Sequence, residues 1–367
     1  MKILHVVTLV SPDAAMGGPM RVALHQCQSL AALGHDVTLV AAARGFAGPL
    51  PDEFLGVRVV LFPAQTVLPG LGFSSFRARG LGRWLRAHAR SFDIVHVHVT
   101  RDLVTMPAAR RVRRLGVPSV LQPHGQIDPS ANAMARFYDP VLTRRELRGA
   151  SLVLCLTPRE AEPLGAVAGG DLRLRDLPNA VDTTIAEGES ARDVLFLARL
   201  APRKRPMAFA QAAAAVAADA PGWTFSVTGP DEGESDAVAA FALDQAVPLT
   251  LEGPLHPDGV PARMRRSAVY VLPALDEPFG LTVIEAMVQE RPVVVTEECG
   301  LADVVRDSDS GLVVDTSVEG LTAAIRTLVA DAEARERMGR NGRRTVLEQF
   351  TVEAAARRLV GYYEEVL

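Results

Sequence analysis

Two basic residues and two glutamates in the second half of the chain have the types and spacing to bind a phosphorylated sugar. Arg199 and Lys204 lie in L-F-L-A-R-L-A-P-R-K-R-P, just after a predicted buried strand, where cations suit a diphosphate. Glu277 and Glu285 lie eight residues apart in L-P-A-L-D-E-P-F-G-L-T-V-I-E-A-M, and carboxylates accept hydrogen bonds from hydroxyls. The alternatives are a solvated basic loop, a solvated loop acid and a helix-surface acid.

The second of these stretches also predicts a helix that begins at about Leu281, after the loop Asp276–Gly280. The backbone N–H groups of Phe279, Gly280 and Leu281 are expected to be free at this helix terminus, where the helix dipole favours an anion. A phosphate there, with an acid on either side for hydroxyl groups, would describe a sugar-nucleotide site. Glu285 lies in an otherwise apolar run, where an unpaired buried charge would be costly.

Glycines and histidines in the first half are further candidates. M-G-G-P-M places Gly17 and Gly18 at the start of a helix, where they could admit an anion or form a plain turn. V-L-Q-P-H-G-Q-I-D-P places His124 directly after a strand, either towards the same ligand or as a structural loop residue. His96 and His98 are interpreted as strand residues, because a metal needs a third ligand and the sequence suggests none.

These residues need a framework, and the hydropathy pattern predicts two α/β domains. Continuous apolar runs that alternate with helical patterns are typical of parallel strands covered on both faces. In the first half the predicted elements are strands Ile3–Val10, Asp36–Ala41, Val57–Leu61, Ile94–Val97, Ser119–Gln122 and Leu152–Cys155, with a helix Met20–Leu33. The pattern restarts near 178–194. The predicted strands there are Val194–Ala198, Thr224–Thr228, Leu249–Glu252, Ala268–Leu272 and Pro292–Thr296.

Helices are predicted between the later strands as well. They cover Pro206–Ala218, Asp236–Gln245, Pro261–Arg266, Leu281–Gln289 and Val318–Ala330, and an amphipathic helix Val352–Leu367 comes last. A length of 367 residues suits two domains rather than one.

Composition and charge exclude several classes of protein. Apolar residues make up 48% and charged residues 22%, which is typical of a globular chain. The net charge of -4 hides an asymmetry: residues 1–175 hold 21 Lys and Arg against 12 Asp and Glu, and the remainder holds 18 against 31. No G-x-G-x-x-G, Walker or nucleic-acid-binding motif occurs, so neither nicotinamide cofactors nor nucleic acid is an expected partner.

Cysteine usage and the amino-terminal segment predict a cytoplasmic protein. Cys27, Cys155 and Cys299 cannot all pair with one another and are interpreted as buried thiols in a reducing compartment. The first ten residues read as a buried strand rather than a signal peptide, because no cleavage site follows. No apolar run reaches the roughly 18 residues of a membrane span.

A basic amphipathic stretch over residues 73–90 leaves membrane contact open. It interleaves five arginines with Phe73, Phe76, Trp84 and leucines. Such a segment can dock on anionic lipid at the inner face of the membrane, or it can be a core-facing helix with a solvated arginine face.

From end to end the chain resembles retaining family 4 of the glycosyltransferases, which has the GT-B fold of two Rossmann-like, doubly wound α/β domains facing across a cleft. The shared motifs are the Gly-Gly opening, L-P-N-A-V-D, A-R-L-A-P-R-K, V-T-G-P, the E-x7-E stretch E-P-F-G-L-T-V-I-E-A-M, and the terminal helix. The resemblance implies an acceptor-binding domain over 1–180 and a nucleotide-sugar-binding domain over 181–350. It implies that a C-terminal helix, 351–367, crosses back to the first domain.

The same resemblance assigns roles to the candidate residues. Arg199 and Lys204 would clamp the diphosphate, Glu277 would contact donor-sugar hydroxyls, Glu285 would contact the ribose, and His124 would lie near the anomeric centre. Further substrate contacts would come from Gly17, Gly18, Phe279, Gly280, Leu281, Thr282, and Leu255 in the turn that reads the base.

The implied activity is transfer of a hexose from a UDP- or GDP-sugar to an acceptor hydroxyl, with retention and with neither metal nor cofactor. The acceptor would be a sugar, a lipid-linked molecule or a small molecule, in polysaccharide, glycolipid or secondary-metabolite synthesis. Two alternatives remain: an epimerase or phosphorylase on the same fold, and a non-catalytic nucleotide-binding protein. A pyridoxal-phosphate-dependent phosphorylase would need a Schiff-base lysine, and the chain has only Lys2 and Lys204.

Overall fold

The protein is described by a computed structural model over residues 1–12, 18–67, 75–129, 135 and 138–367. It divides into two units, which we call the first unit (Met1–Ala180 with Val352–Leu367) and the second unit (Val181–Thr351). The second unit is therefore an insertion before the last helix of the first. No helix within these described ranges is long and apolar enough to cross a membrane.

The first unit is built on a nine-stranded sheet in the order β3-β4-β2-β1-β6-β7-β8-β9, with β5 paired to β4. Its strands are β1 Lys2–Val10, β2 Asp36–Ala43, β3 Glu53–Phe54, β4 Val57–Thr66, β5 Phe76–Ala78, β6 Ile94–Val97, β7 Ser119–Leu121, β8 Leu152–Cys155 and β9 Leu174–Asp176. Among the described strands of this unit, only the pairings of β3 and β5 with β4 are antiparallel. The central strands are buried throughout, as their continuous apolar runs predict.

The second unit is built on a six-stranded, all-parallel sheet in the order β12-β11-β10-β13-β14-β15. Its strands are β10 Asp193–Leu197, β11 Thr224–Thr228, β12 Leu249–Gly253, β13 Val269–Leu272, β14 Val293–Thr296 and β15 Gly311–Val314. This is the strand order of a doubly wound, Rossmann-like sheet, in which the direction of winding reverses between β10 and β13. The predicted α/β fold is confirmed.

Helices cover both faces of each sheet. They are α1 Gly18–Ala32, α2 Leu81–His88, α3 Thr105–Leu115, α4 Arg144–Gly149, α5 Pro158–Ala168, α6 Pro206–Ala217, α7 Ser235–Asp244, α8 Val260–Arg266, α9 Leu281–Val288, α10 Ala302–Asp307, α11 Val318–Ala330, α12 Ala332–Gln349 and α13 Val352–Val366. In the first unit, α1 and α13 bury one face of the sheet, with Leu30, Leu359 and Tyr363 in that core. All three cysteines are free thiols and buried.

The basic stretch at 73–90 forms the short strand β5 and the helix α2. Leu81 and Leu85 of α2 are 4% and 0% exposed, and Trp84 packs edge-on against Phe62 of β4. The apolar side of this helix therefore faces the core of its own unit, as in the second of the two interpretations. Phe73 lies outside the described residues.

Candidate active site

The second sheet brings two of the predicted motifs to one place on its carboxyl edge. Arg199 and Lys204 follow β10, and the loop that carries Glu277 follows β13. These two strands are neighbours, and the winding of the sheet reverses between them. In open α/β sheets, ligands bind outside the carboxyl ends of the strands at such a reversal.

Lys204 and Glu277 form a buried ion pair at this point. Their side chains are only 12% and 9% exposed, and Arg203 places a second cation 3.5 Å from the same Glu277 oxygen. Burial by itself raises the pKa of Glu277, but the charges of Lys204 and Arg203 more than offset it, and the net pKa is lowered. The interpretations of Lys204 as part of a solvated loop and of Glu277 as a solvated acid are therefore wrong.

Arg199 lies further out and has a different partner. Its side chain is 53% exposed, and Nη1 donates to Glu232 Oε1 at 2.6 Å. The pKa of Lys204 is lowered, mainly by burial and also by the charges of Arg203 and Arg199, while Glu277 opposes this change. Both arginines therefore lie close enough to Lys204 for their charges to act on it.

The amino end of α9 is capped by Glu277. Its Oε1 accepts the backbone N–H of Gly280 at 3.2 Å. The expectation that the Gly280 amide is free is therefore wrong, because the carboxylate three residues earlier reaches it. The N–H groups of Leu281 and Thr282 lie in the first helical turn, ahead of the bond from Val283 N to Gly280 O at 2.9 Å, and first-turn amides have no partner within their helix.

Two glycines allow this loop to pack closely. Gly280 has a φ of 88°, and an added Cβ would lie 3.1 Å from Cys299 Sγ. Gly300 donates its N–H to Glu277 O at 2.8 Å, and a Cβ there would lie 2.1 Å from Pro278 O. Glycine at both positions therefore fixes the loop that presents Glu277.

The remaining candidates of the second unit lie in α9, in the loop before it and after β12. Glu285 is half-buried in α9, and Thr282 Oγ1 accepts the Tyr270 hydroxyl at 2.6 Å. The ring of Phe279 is buried against Phe350, so this residue offers its backbone rather than its side chain. Leu255 is 39% exposed in the segment after β12, and its contact with a base stays a prediction.

In the first unit, His124 holds a left-handed backbone conformation with a φ of 55°. Only 8% of the residue is exposed, and ring Nε2 lies 2.8 Å from His98 Nδ1. The next residue, Gly125, donates its N–H to Glu160 Oε1 at 2.7 Å, so this buried acid fixes the turn. Gly18 begins α1 and is exposed, whereas Gly17 lies outside the described residues.

His96 lies in β6, as interpreted, and His98 directly follows that strand, but the third histidine that the sequence did not suggest lies beside them. His5 on β1 pairs in register with His96 on β6, and the ring nitrogens of the three residues lie within 4.8 Å of one another. The rings of His96 and His98 are stacked with an angle of 9° between their planes. Nitrogen lone pairs lie in the ring planes, so these two rings cannot aim at one ion, and the arrangement favours hydrogen bonding in series.

Within each unit, sequence patterns missed several residues that contact the candidates. Arg203 stood in the basic motif without a role, and Glu160 and Tyr363 gave no signal. His5 lies about 90 residues before its partner His96, so only strand order could bring the two together. Knowing that β1 and β6 are neighbours would have revealed the cluster.

We expect the free energy of unfolding to fall as the pH is lowered from 7.5 to 5.5. Burial lowers the pKa of the four clustered histidines, to about 3 for His5 and His124. In the unfolded chain, histidine has a pKa of about 6.5, so below that pH only the unfolded state gains protons. Each such histidine then lowers the free energy of unfolding by about 1.4 kcal/mol for each pH unit below that value, and above pH 7 it has no effect on it.

Urea midpoints at pH 7.5 and 5.5 measure this effect. H96L should reduce the change of unfolding free energy per pH unit by the contribution of about one proton. H256N alters a histidine whose side chain is 72% exposed, and it should leave this pH dependence as in the wild type. Equal slopes in all three proteins would contradict the prediction.

Two protein families match the chain, one over each unit. Residues 17–180 match the family described as glycosyl transferase 4-like domain, and residues 183–345 match glycosyl transferases group 1. The two matches meet at the boundary between the units and include the cations, Glu277 and His124. The chain belongs to the family 4 glycosyltransferases.

Two named relatives of this glycosyltransferase are 29% identical to it over about three quarters of the chain. A D-inositol 3-phosphate glycosyltransferase from Acidothermus cellulolyticus is 29% identical over 77% of the chain, a match that spans 66% of that relative, just under two thirds. A 2-deoxystreptamine glucosyltransferase from Streptomyces kanamyceticus is 29% identical over 75% of the chain and 78% of the relative.

Solved structures support the GT-B fold of the glycosyltransferase. Sucrose-phosphate synthase from Thermosynechococcus elongatus matches with a TM-score of 0.80 at 20% identity, covering 100% of this chain and 99% of that one. Anabaena HepE in complex with UDP and glucose matches with a TM-score of 0.79 at 17% identity, covering 100% of both chains. The predicted GT-B fold, with two Rossmann-like domains, is confirmed.

Proposed function

We propose that this glycosyltransferase moves a hexose from a UDP- or GDP-sugar to an acceptor hydroxyl, with retention at the anomeric carbon and with neither a metal ion nor a cofactor. One observation carries the proposal: Lys204, Arg199 and the amino end of α9 lie together where the second sheet reverses. Positive charge and a helix amino end at the reversal of an open sheet suit the binding of a diphosphate.

The leaving diphosphate gains negative charge as the bond to the sugar breaks. Lys204, Arg199 and the first-turn amides of α9 can stabilise that charge, which is the task of the divalent metal in other glycosyltransferases. Glu277 pairs with Lys204 and holds it in place. In this proposal its carboxylate also accepts hydrogen bonds from sugar hydroxyls. The proton of the acceptor hydroxyl passes to the leaving phosphate, on the same face of the sugar as the attack.

The acceptor is proposed to be a sugar, a lipid-linked molecule or a small polyhydroxylated molecule, held by the first unit. The names of the two relatives direct the first tests to an inositol phosphate and to 2-deoxystreptamine. A peripheral contact with anionic lipid through the exposed Arg83 and Arg86 of α2 is a separate part of the proposal. Salt-sensitive sedimentation with phosphatidylglycerol vesicles, and none with neutral vesicles, is the result expected for it.

Binding and turnover are tested in sequence. A panel of UDP- and GDP-hexoses is screened for a rise in melting temperature, because a ligand that binds the folded state stabilises it. The donor found is then incubated with acceptors in EDTA, and proton NMR of the product reports the anomeric configuration. We expect full activity in EDTA and the donor's own anomer.

Each part of the proposal has its own contrary result. A shift in melting temperature without hydrolysis or transfer would favour a non-catalytic nucleotide-binding protein. An inverted product would exclude retention. Loss of activity in EDTA, with recovery on adding magnesium, would exclude the metal-independent mechanism.

A further inference from the structure

Four histidines of the first unit form one buried cluster beneath the helices α1 and α13. His5 and His96 lie side by side on the central strands β1 and β6, and His98 lies two residues beyond His96. Because side chains two residues apart point to the same face of a strand, all three face one layer of helices. His124, after β7, completes the cluster from the neighbouring strand.

Hydrogen bonds join these rings in series. His124 Nε2 lies 2.8 Å from His98 Nδ1, and His98 Nε2 lies 3.0 Å from His5 Nδ1. His5 Nε2 lies 3.3 Å from the hydroxyl of Tyr363 on α13, which in turn lies 2.7 Å from His96 Nδ1. We call this series, from His124 through His98, His5 and Tyr363 to His96, the histidine chain.

The two ends of the histidine chain differ. Nδ1 of His124 is buried and has no hydrogen-bond partner among the residues that the structure describes, whereas the ring of His96 at the other end interacts with the side chain of Gln122. Buried polar nitrogens are normally paired, so each unpaired one needs an explanation. At His124, the open nitrogen belongs to a residue that the family resemblance places near the reacting sugar.

All four histidines of the histidine chain are neutral near pH 7, because burial lowers the pKa of each well below its usual value. Burial also keeps the Tyr363 hydroxyl protonated by raising its pKa. A neutral imidazole has one N–H and one bare nitrogen. The hydrogen bonds must therefore all point the same way along the histidine chain, so that a proton on His124 Nδ1 excludes a proton on His96 Nε2.

The distances at Tyr363 favour one direction. Hydroxyl donors form shorter hydrogen bonds than N–H donors do. We therefore assign the hydroxyl as the donor in the 2.7 Å bond to His96 and His5 Nε2 as the donor in the longer, 3.3 Å contact. His98 then donates to His5, and His124 donates to His98, which leaves His124 Nδ1 bare.

We propose that His98, His5, Tyr363 and His96 are positioning residues that hold the His124 ring as its Nε2–H tautomer, so that Nδ1 accepts a hydrogen bond from a hydroxyl of the donor sugar. The role of the sugar rests on the proposed function, whereas the tautomer does not. The hydroxyl of Tyr363 is the one link that can be removed without deleting a ring.

Nitrogen-15 NMR of histidine-labelled protein reads the tautomer directly, without substrate. We expect His124 of the wild type to show the Nε2–H pattern from pH 6 to 8. Y363F should release the direction of the chain, so that the Nδ1–H form of His124 becomes visible, and should lower kcat at least about fivefold with little change in donor KM. Y362F is the matched control, because that hydroxyl donates to Asp176 O at 2.9 Å, outside the chain.

H98N is a second variant that interrupts the chain next to His124, should Y363F fold poorly. An Nδ1–H tautomer in the wild type would overturn the proposal, as would an unchanged tautomer in both variants. One equivalent of tightly bound zinc in the purified protein would also overturn it, in favour of a metal site. If the tautomer shifts as expected but no sugar nucleotide is turned over, the proposed function fails and the positioning role stands.

Discussion

K204A is expected to lower kcat for glycosyl transfer about 10³-fold, the effect of removing one preorganised charge from a developing anion. Lys204 is the most buried of the three cations beside α9, and its side chain is held on Glu277. Its charge therefore needs no rearrangement when the diphosphate leaves. Steady-state kinetics with the donor identified by thermal shift measure the loss.

The matched control is R306A, which removes an exposed cation of the second unit that pairs only along its own helix, with Asp303. It should retain wild-type kinetics, since exposed pairs contribute little. K204A also strips a partner from a buried carboxylate, which destabilises the protein. The double variant K204M/E277Q removes both charges and should recover most of the melting temperature without recovering activity. Near wild-type turnover in K204A would contradict the role of Lys204.

The second large effect is expected from G300A. A Cβ at Gly300 would lie 2.1 Å from the carbonyl oxygen of Pro278, which cannot give way without moving the loop that carries Glu277. We expect a loss of about 3 kcal/mol in unfolding free energy, the upper end of the usual overpacking effect, and at least a tenfold rise in donor KM. Urea unfolding and donor titration measure the two changes.

G361A tests whether the effect comes from crowding. Gly361 is exposed in α13, and an added Cβ there would meet no atom within 4 Å. Alanine at this position should stabilise the helix by up to about 1 kcal/mol and leave donor binding unchanged. If G300A binds donor as the wild type does, the loop tolerates displacement and the argument for its rigidity fails.

Local patterns were sufficient for most of the elements. Short continuous apolar runs indicate buried parallel strands, and these runs predict both sheets. The missed strands, such as β3, β9 and β15, are short or lie at the sheet edge, where tertiary pairing rather than hydropathy decides. β4 extends to Thr66 because Ala64 pairs with Ala78 of β5, a contact that no local pattern contains.

The site divides along the same line. Lys204 and Glu277 were predicted from motifs, but their pairing, across 73 residues, depends on β10 lying beside β13. The Gly280 amide was expected to be free because the sequence pattern indicates a helix terminus. The pattern does not indicate which side chain accepts the amide hydrogen there. The histidine chain needs three strands and a terminal helix at once, so no single segment could reveal it.

The position of the last helix in the sequence affects how the first unit folds during synthesis. α13 belongs to the first unit, yet the ribosome makes it only after the whole second unit. Until then the nascent first unit lacks Leu359 and Tyr363 on one face of its sheet, and that apolar face stays uncovered. The second unit has no such delay. Val181 bonds to Phe350 and pairs with Thr351, so its two ends are joined side by side, and residues 181–351 are the piece of this enzyme best suited to be produced alone.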